Sequence, residues 1–67
     1  MVKIKINGKT QEIEENIDAL KLLELKKIKK ESVVFILNDN IIKRDELKNH
    51  KIKENDEIEI LRFVAGG

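Results

Sequence analysis

Val2-Lys3-Ile4-Lys5-Ile6 alternates apolar and basic residues with period two, and Asn7-Gly8 follows at once. Such alternation marks a strand with one face buried and one in water. Asn-Gly accepts positive φ at both central positions of a two-residue turn, and the twist of that turn matches the strands flanking it. The start of the chain is therefore committed to an antiparallel hairpin. Its second strand is expected over Lys9 to Glu14, with Ile13 as the clearest apolar position. Whatever else the chain does, it has to pack against the Ile face of this hairpin.

Little else is available to stabilise it. The chain has 67 residues, no cysteine and one histidine, His50. A domain this short buries only about 60% of the surface its unfolded chain exposes. Disulfides and thiolate metal sites are excluded, and a lone histidine builds no metal site. A single domain with an economical core remains, expected over 1–67. Hydrophobic and charged residues each make up 40%. That balance argues for a highly solvated surface, against a membrane protein and for the cytoplasm. No apolar run approaches the ~20 residues of a span, and the alternating start is unlike a signal peptide. Fourteen basic residues face thirteen acidic ones, and the aromatics are two phenylalanines. A nucleic-acid binder shows more basic excess and more stacking residues. A pocket with convergent polar groups does not fit into so small a core. The chain reads as a carrier, modifier or adaptor, not as an enzyme.

Asn16 and Asp18 are both candidate N-caps. Ile17, Leu20, Leu23 and Ile28 then recur at helical spacing, widened by Leu22 and Leu25, among good helix formers. Lys26, Lys27, Lys29 and Lys30 fall where this helix should end, and cations suit the negative end of its dipole. A nucleic-acid patch is the sharper reading of that run. A solvated helix terminus is preferred, because acids elsewhere cancel the field.

Ser32 opens the continuous apolar run 33–37, read as a central strand buried on both faces. Asn38-Asp39-Asn40 is a turn, and Ile41-Ile42 a short edge strand. Residues 44–53 have no clean period and read as a loop with one helical turn around Asp45 to Leu47. A turn at 54–56 precedes a last alternating strand, Glu57 to Phe63. The expected core is Ile4, Ile6, Leu20, Leu23, Val34, Ile36, Ile58 and Ile60. A hairpin followed by a helix lying across a mixed sheet of four to five strands is an α+β two-layer fold.

The segment Asn38-Asp39-Asn40-Ile41-Ile42-Lys43-Arg44 resembles the Asn-x-x-Ile-Val-x-Arg stretch of the ThiS family, the sulfur carriers of thiamine thiazole synthesis. Asn55-Asp56-Glu57-Ile58-Glu59-Ile60 is similar to that family's Gly-Asp-x-Ile-x-Ile turn and strand. Phe63-Val64-Ala65-Gly66-Gly67 is similar to its apolar, Ala/Gly, Gly-Gly ending. Asn55 replaces the family's usual Gly but tolerates the same left-handed conformation. Leu47 stands where many members carry an aromatic. The MoaD family of molybdopterin carriers shares the fold and the tail but is usually longer.

The resemblance implies a ubiquitin-like β-grasp domain with a flexible tail over 64–67 and no catalytic or metal-binding residue of its own. It implies a chemistry as well. A C-terminal carboxylate is ionised at pH 7 and can attack the α-phosphate of ATP. The acyl-adenylate so formed is open to a sulfur nucleophile, which leaves a thiocarboxylate on Gly67. The implied partners are an E1-like adenylyltransferase (ThiF-like), a sulfur donor such as a cysteine desulfurase, and a thiazole synthase (ThiG-like). Mg²⁺ and ATP belong to the activating partner, and no cofactor is bound by the carrier, a monomer when free. Two glycines, Gly66 and Gly67, suit passage through a narrow channel; the plain alternative is a frayed terminus. Molybdopterin or tRNA-thiolation carriage, protein modification, and non-covalent adaptor work are the competing functions.

Parity along the last strand places Ile58, Ile60 and Val64 on one face and Glu57, Glu59, Leu61 and Phe63 on the other. Leu61 and Phe63, with Val64 and Ala65 beside them, are therefore candidates for partner binding, against the alternative of a core plug. Arg62 is read as an ordinary solvated arginine, His50 as a surface loop residue. Asn38 and Arg44 are read as turn formers through hydrogen bonds to backbone.

Overall fold

The computed structural model describes residues 1–63; the expected flexible tail over 64–67 lies outside them. In chain order the elements are β1 (Val2–Ile6), β2 (Lys9–Ile13), α1 (Ala19–Leu25), β3 (Val33–Leu37), β4 (Asn40–Ile42) and β5 (Glu57–Arg62). Two 3-10 turns, Lys30–Ser32 and Arg44–Asn49, precede β3 and follow β4. The strands form one five-stranded sheet in the order β2-β1-β5-β3-β4. β5 runs parallel to β1 and antiparallel to β3. One main helix packed on one face of a mixed sheet is the β-grasp arrangement.

The hairpin forms as the sequence predicts. Val2 pairs with Ile13 and Ile6 with Lys9, and the turn places Asn7 at φ 50° and Gly8 at φ 83°. The β3–β4 hairpin repeats the device, with Leu37 opposite Asn40 and Asn38 and Asp39 at φ 50° and 70°. Both turns have the double positive φ that favours Asn and Gly. Asn55 takes φ 70°, the conformation its glycine-like position requires.

Of the two candidate caps, Asp18 is the one used: its Oδ1 accepts from Lys21 N at 2.7 Å. The helix is shorter than the apolar stripe suggests. Lys27 turns left-handed at φ 58°. Ile28 N donates to the Leu23 carbonyl and Lys27 N to the Glu24 carbonyl. This bond pair closes a helix end and brings the residue after the turn onto the last apolar turn. Ile28 thus reaches the core from beyond the helix, and the lysine run lies beyond the last helical turn.

The core departs from expectation in three places. Leu20, Val34 and Ile36 are only half-buried, whereas Leu22, Val33, Phe35 and Leu37 are buried. Pairing sets the parity of β3. Leu37 and Phe35 lie opposite Ile58 and Ile60 of β5, and residues directly opposite share a face. Val34 and Ile36 therefore point to the uncovered face, so β3 is not buried on both sides. On α1, Ala19, Leu22 and Leu23 meet the sheet, while Leu20 flanks them. Leu47 and Ile52, from the loop expected to be irregular, seal the edge of the core at 2% and 3% exposure. Ile52 N donates to the Ile17 carbonyl and Ala19 N to the His50 carbonyl, which fixes that loop to the helix start.

Two stability predictions follow from this packing. Phe35→Ala should cost about 3–5 kcal/mol, and Ile36→Ala clearly less, in urea unfolding with an unchanged m-value. Lys27→Gly should stabilise the domain by about 1 kcal/mol, because glycine carries no Cβ penalty in the left-handed region. A rise in Tm, without change in the near-native spectrum, is the expected reading.

Candidate functional site

β5 is the strand that leads to the Gly-Gly end, and neighbours on both sides grip it. Its start is held by Asn38, whose Oδ1 accepts from Glu57 N at 2.9 Å and whose Nδ2 donates to Asp56 Oδ1 at 3.0 Å. Asp56 in turn accepts from Lys53 N at 2.7 Å, which closes the turn before the strand. Farther along, β1 has already turned away, and the Asn7 side chain continues the ladder in its place. Ile60 N donates to Asn7 Oδ1 at 2.9 Å, and Asn7 Nδ2 donates to the Ile60 carbonyl at 3.3 Å. One side-chain amide thereby acts as a peptide unit of a strand that is no longer there. Past Arg62, Phe63 N still donates to the Ser32 carbonyl at 3.0 Å.

The uncovered face of the sheet is divided. On the β1–β2 side it carries Lys3, Lys5, Thr10 and Glu12, brought opposite one another by the hairpin register. On the other side Val34 lies opposite Leu61, and Ile36 opposite both Ile41 and Glu59. Half-buried Val34 and Ile36 thus join exposed Ile41, Leu61 and Phe63 in an apolar band. Leu61 is 49% and Phe63 54% exposed, which answers the question left open by parity: neither is a core plug. A contiguous apolar patch on a small domain marks a surface for a partner.

Of the residues singled out in the sequence, Leu61 and Phe63 are brought into this band. Val64, Ala65, Gly66 and Gly67 lie outside the described residues. Asn38 bonds backbone as expected, but its side chain reaches Glu57 at the start of β5 and not its own turn. Arg44 also bonds backbone, but outside its own turn, with Nη2 donating to the Glu31 carbonyl at 3.1 Å. Arg62 is exposed, and His50 is half-buried with its carbonyl engaged at the helix start. Sequence reasoning missed Asn7 beyond its turn, and it missed Val34, Ile36 and Ile41 as surface. Nothing local announces the Asn7 clamp, since its partner lies 53 residues away. The surplus of apolar residues in β3 does announce the band. Among the described residues no cluster of His, Asp and Glu is arranged to hold a metal, and no helix is long and apolar enough to cross a membrane.

Asn7→Gly keeps the positive φ of the turn and removes both bonds to Ile60. It should cost about 1–2 kcal/mol, and the Ile60 amide should exchange with solvent faster relative to that of Phe35.

The model of the ThiS family matches residues 4–67. The crystal structure of a thiamine biosynthesis protein (ThiS) from Geobacter metallireducens is similar over 98% of this chain and 100% of its own, with a TM-score of 0.86 and 28% identity. An NMR solution structure of a thiamine biosynthesis protein from the same organism is similar over 98% of this chain and 88% of its own, with a TM-score of 0.81 and 28% identity. No curated protein matches the sequence significantly.

Proposed function

This chain belongs to the ThiS family, and from that premise we propose that it is a sulfur carrier whose Gly67 carboxylate is activated by an adenylating enzyme and loaded with sulfur for thiazole formation. The observation that carries the reading is the match of the family model through the Gly-Gly end, on a chain whose last strand passes an exposed apolar band just before that end.

The steps follow from the chemistry of a carboxylate. One oxygen of Gly67 attacks the α-phosphorus of ATP, the bond to pyrophosphate breaks, and the acyl-adenylate forms. A persulfide sulfur then attacks the acyl carbon and AMP leaves. Cleavage of the remaining S–S bond by a thiol yields the thiocarboxylate, now a nucleophile toward the thiazole-forming partner. Mg²⁺ and ATP belong to the activating enzyme in this reading, and the sulfur comes from a cysteine desulfurase. The carrier contributes position. Leu61 and Phe63 seat the domain, and Val64, Ala65 and Gly66 pass the reacting group into the partner's channel.

Incubation with an adenylating enzyme, Mg·ATP and a persulfide donor should add to the chain the mass of one sulfur in exchange for one oxygen. Deleting Gly67, or extending the chain beyond it, should abolish loading while leaving the fold intact. Gly66→Ala should fold normally and slow adenylation, because a Cβ restricts φ and crowds a narrow channel. Phe63→Ala should weaken binding to the adenylating enzyme by about 2 kcal/mol or more without changing the unfolding midpoint. Conjugation to lysines in place of sulfur loading would move the protein to the modifiers.

A further inference from the structure

Asn7 closes the first turn and clamps β5, and it is also the one asparagine of the chain that is followed by glycine. The other five precede Ile17, Asp39, Ile41, His50 and Asp56. Asparagine is among the thermolabile residues. Its amide is lost when the next backbone nitrogen attacks the side-chain carbon, and a glycine presents that nitrogen with no Cβ beside it. Three features of the turn favour the attack. Asn7 and Gly8 are both exposed, so water reaches them. Among the described residues Gly8 N–H donates to no acceptor. Nothing lies within 4 Å of the place that a Cβ on Gly8 would take, which leaves room for a new ring. One feature opposes it. Asn7 Oδ1 accepts from Ile60 N at 2.9 Å and Nδ2 donates to the Ile60 carbonyl at 3.3 Å. These bonds hold the amide in the ladder, so the clamp has to open before the ring can close.

We infer that Asn7 is a site of spontaneous deamidation, gated by its own clamp, and that its conversion irreversibly releases the end of β5. Gly8 N attacks Asn7 Cγ, the Cγ–Nδ2 bond breaks, and ammonia leaves with the proton that Gly8 N gives up. One water then opens the five-membered imide. Attack at Cγ leaves aspartate. Attack at the Asn7 main-chain carbonyl leaves isoaspartate, in which the main chain passes through Cβ and Cγ. Ammonia is exchanged for water, and nothing is oxidised or reduced. Aspartate keeps an acceptor for Ile60 N–H but loses the donor, so oxygen faces oxygen at the Ile60 carbonyl. Isoaspartate also lengthens the turn by one backbone atom and shortens the side group by a methylene, and both bonds to Ile60 are lost. The end of β5 is then held by β3 and Ser32 alone. This holds whatever the Gly-Gly end carries.

The test uses the full chain, kept folded in mildly alkaline buffer made with heavy-oxygen water and, in parallel, unfolded in guanidinium chloride. Mass spectrometry of its fragments locates the label. Asn7 should convert before any other asparagine and take up one heavy oxygen. In the folded chain it should convert more slowly by about tenfold or more, because the hydrogen bonds of the clamp must first break. The converted chain is separated by its added negative charge and should accept methyl groups from an isoaspartate-specific methyltransferase. Its Ile60 amide should exchange with solvent about tenfold faster or more than in the parent chain, with the Phe35 amide unchanged. An intact Asn7 while another asparagine converts would overturn the site. Equal rates in the folded and unfolded chains would overturn the gate. Conversion with no change at Ile60, or with equal acceleration at Phe35, would overturn the local release of β5.

Discussion

Insertion of β5 between β1 and β3 is the event on which the rest of this structure depends. Those two strands are not neighbours. Until the last strand arrives, the N-terminal hairpin and the β3–β4 hairpin share no ladder. Ile58 and Ile60 then complete the sheet face beneath α1, and Leu37 and Phe35 acquire their partners. The contact spans nearly the whole chain, so a long loop is closed before the reward arrives. The two asparagine side chains answer that cost locally. Asn38 receives the first residue of the strand and Asn7 holds the fourth, each from a turn that is already formed by short-range preferences. A tail attached to this strand pulls on ladders at both sides, and not on a frayed edge.

How much of this is legible in sequence depends on the range of the interaction. Hairpin, helix cap and turn glycine substitutes are decided within a few residues; Asn7-Gly8 and Asn55 are read correctly for that reason, and the cap is narrowed to Asn16 or Asp18, of which the structure uses Asp18. The parity of β3 is decided by its partner. Val33 to Leu37 is apolar throughout, so no alternation says which residues face the helix, and only the register with Ile58 and Ile60 settles it. The helix end shows the same limit. The apolar stripe continues to Ile28, but the chain reaches that contact by a left-handed turn at Lys27 and not by further helix. Leu47 and Ile52 are core residues without a local period, because an irregular loop is bent to fit the helix start.

The exposed apolar band follows from the same parity. A two-layer fold covers one face of its sheet. Five consecutive apolar residues in such a strand exceed what the core can take, and the two left over must face water or a partner. Val34 and Ile36 alone would be ordinary. With Ile41 on one side and Leu61 and Phe63 on the other they become a band. The excess of hydrophobicity in the run is thus the sequence-level trace of that band.

A carrier meets several enzymes in turn, and each meeting must end. The division of the surface suits that requirement. The half-buried and exposed aliphatic side chains around one phenylalanine make a small apolar surface, and interfaces of small area are those of transient encounters. Affinity of that kind is governed by how fast the complex falls apart.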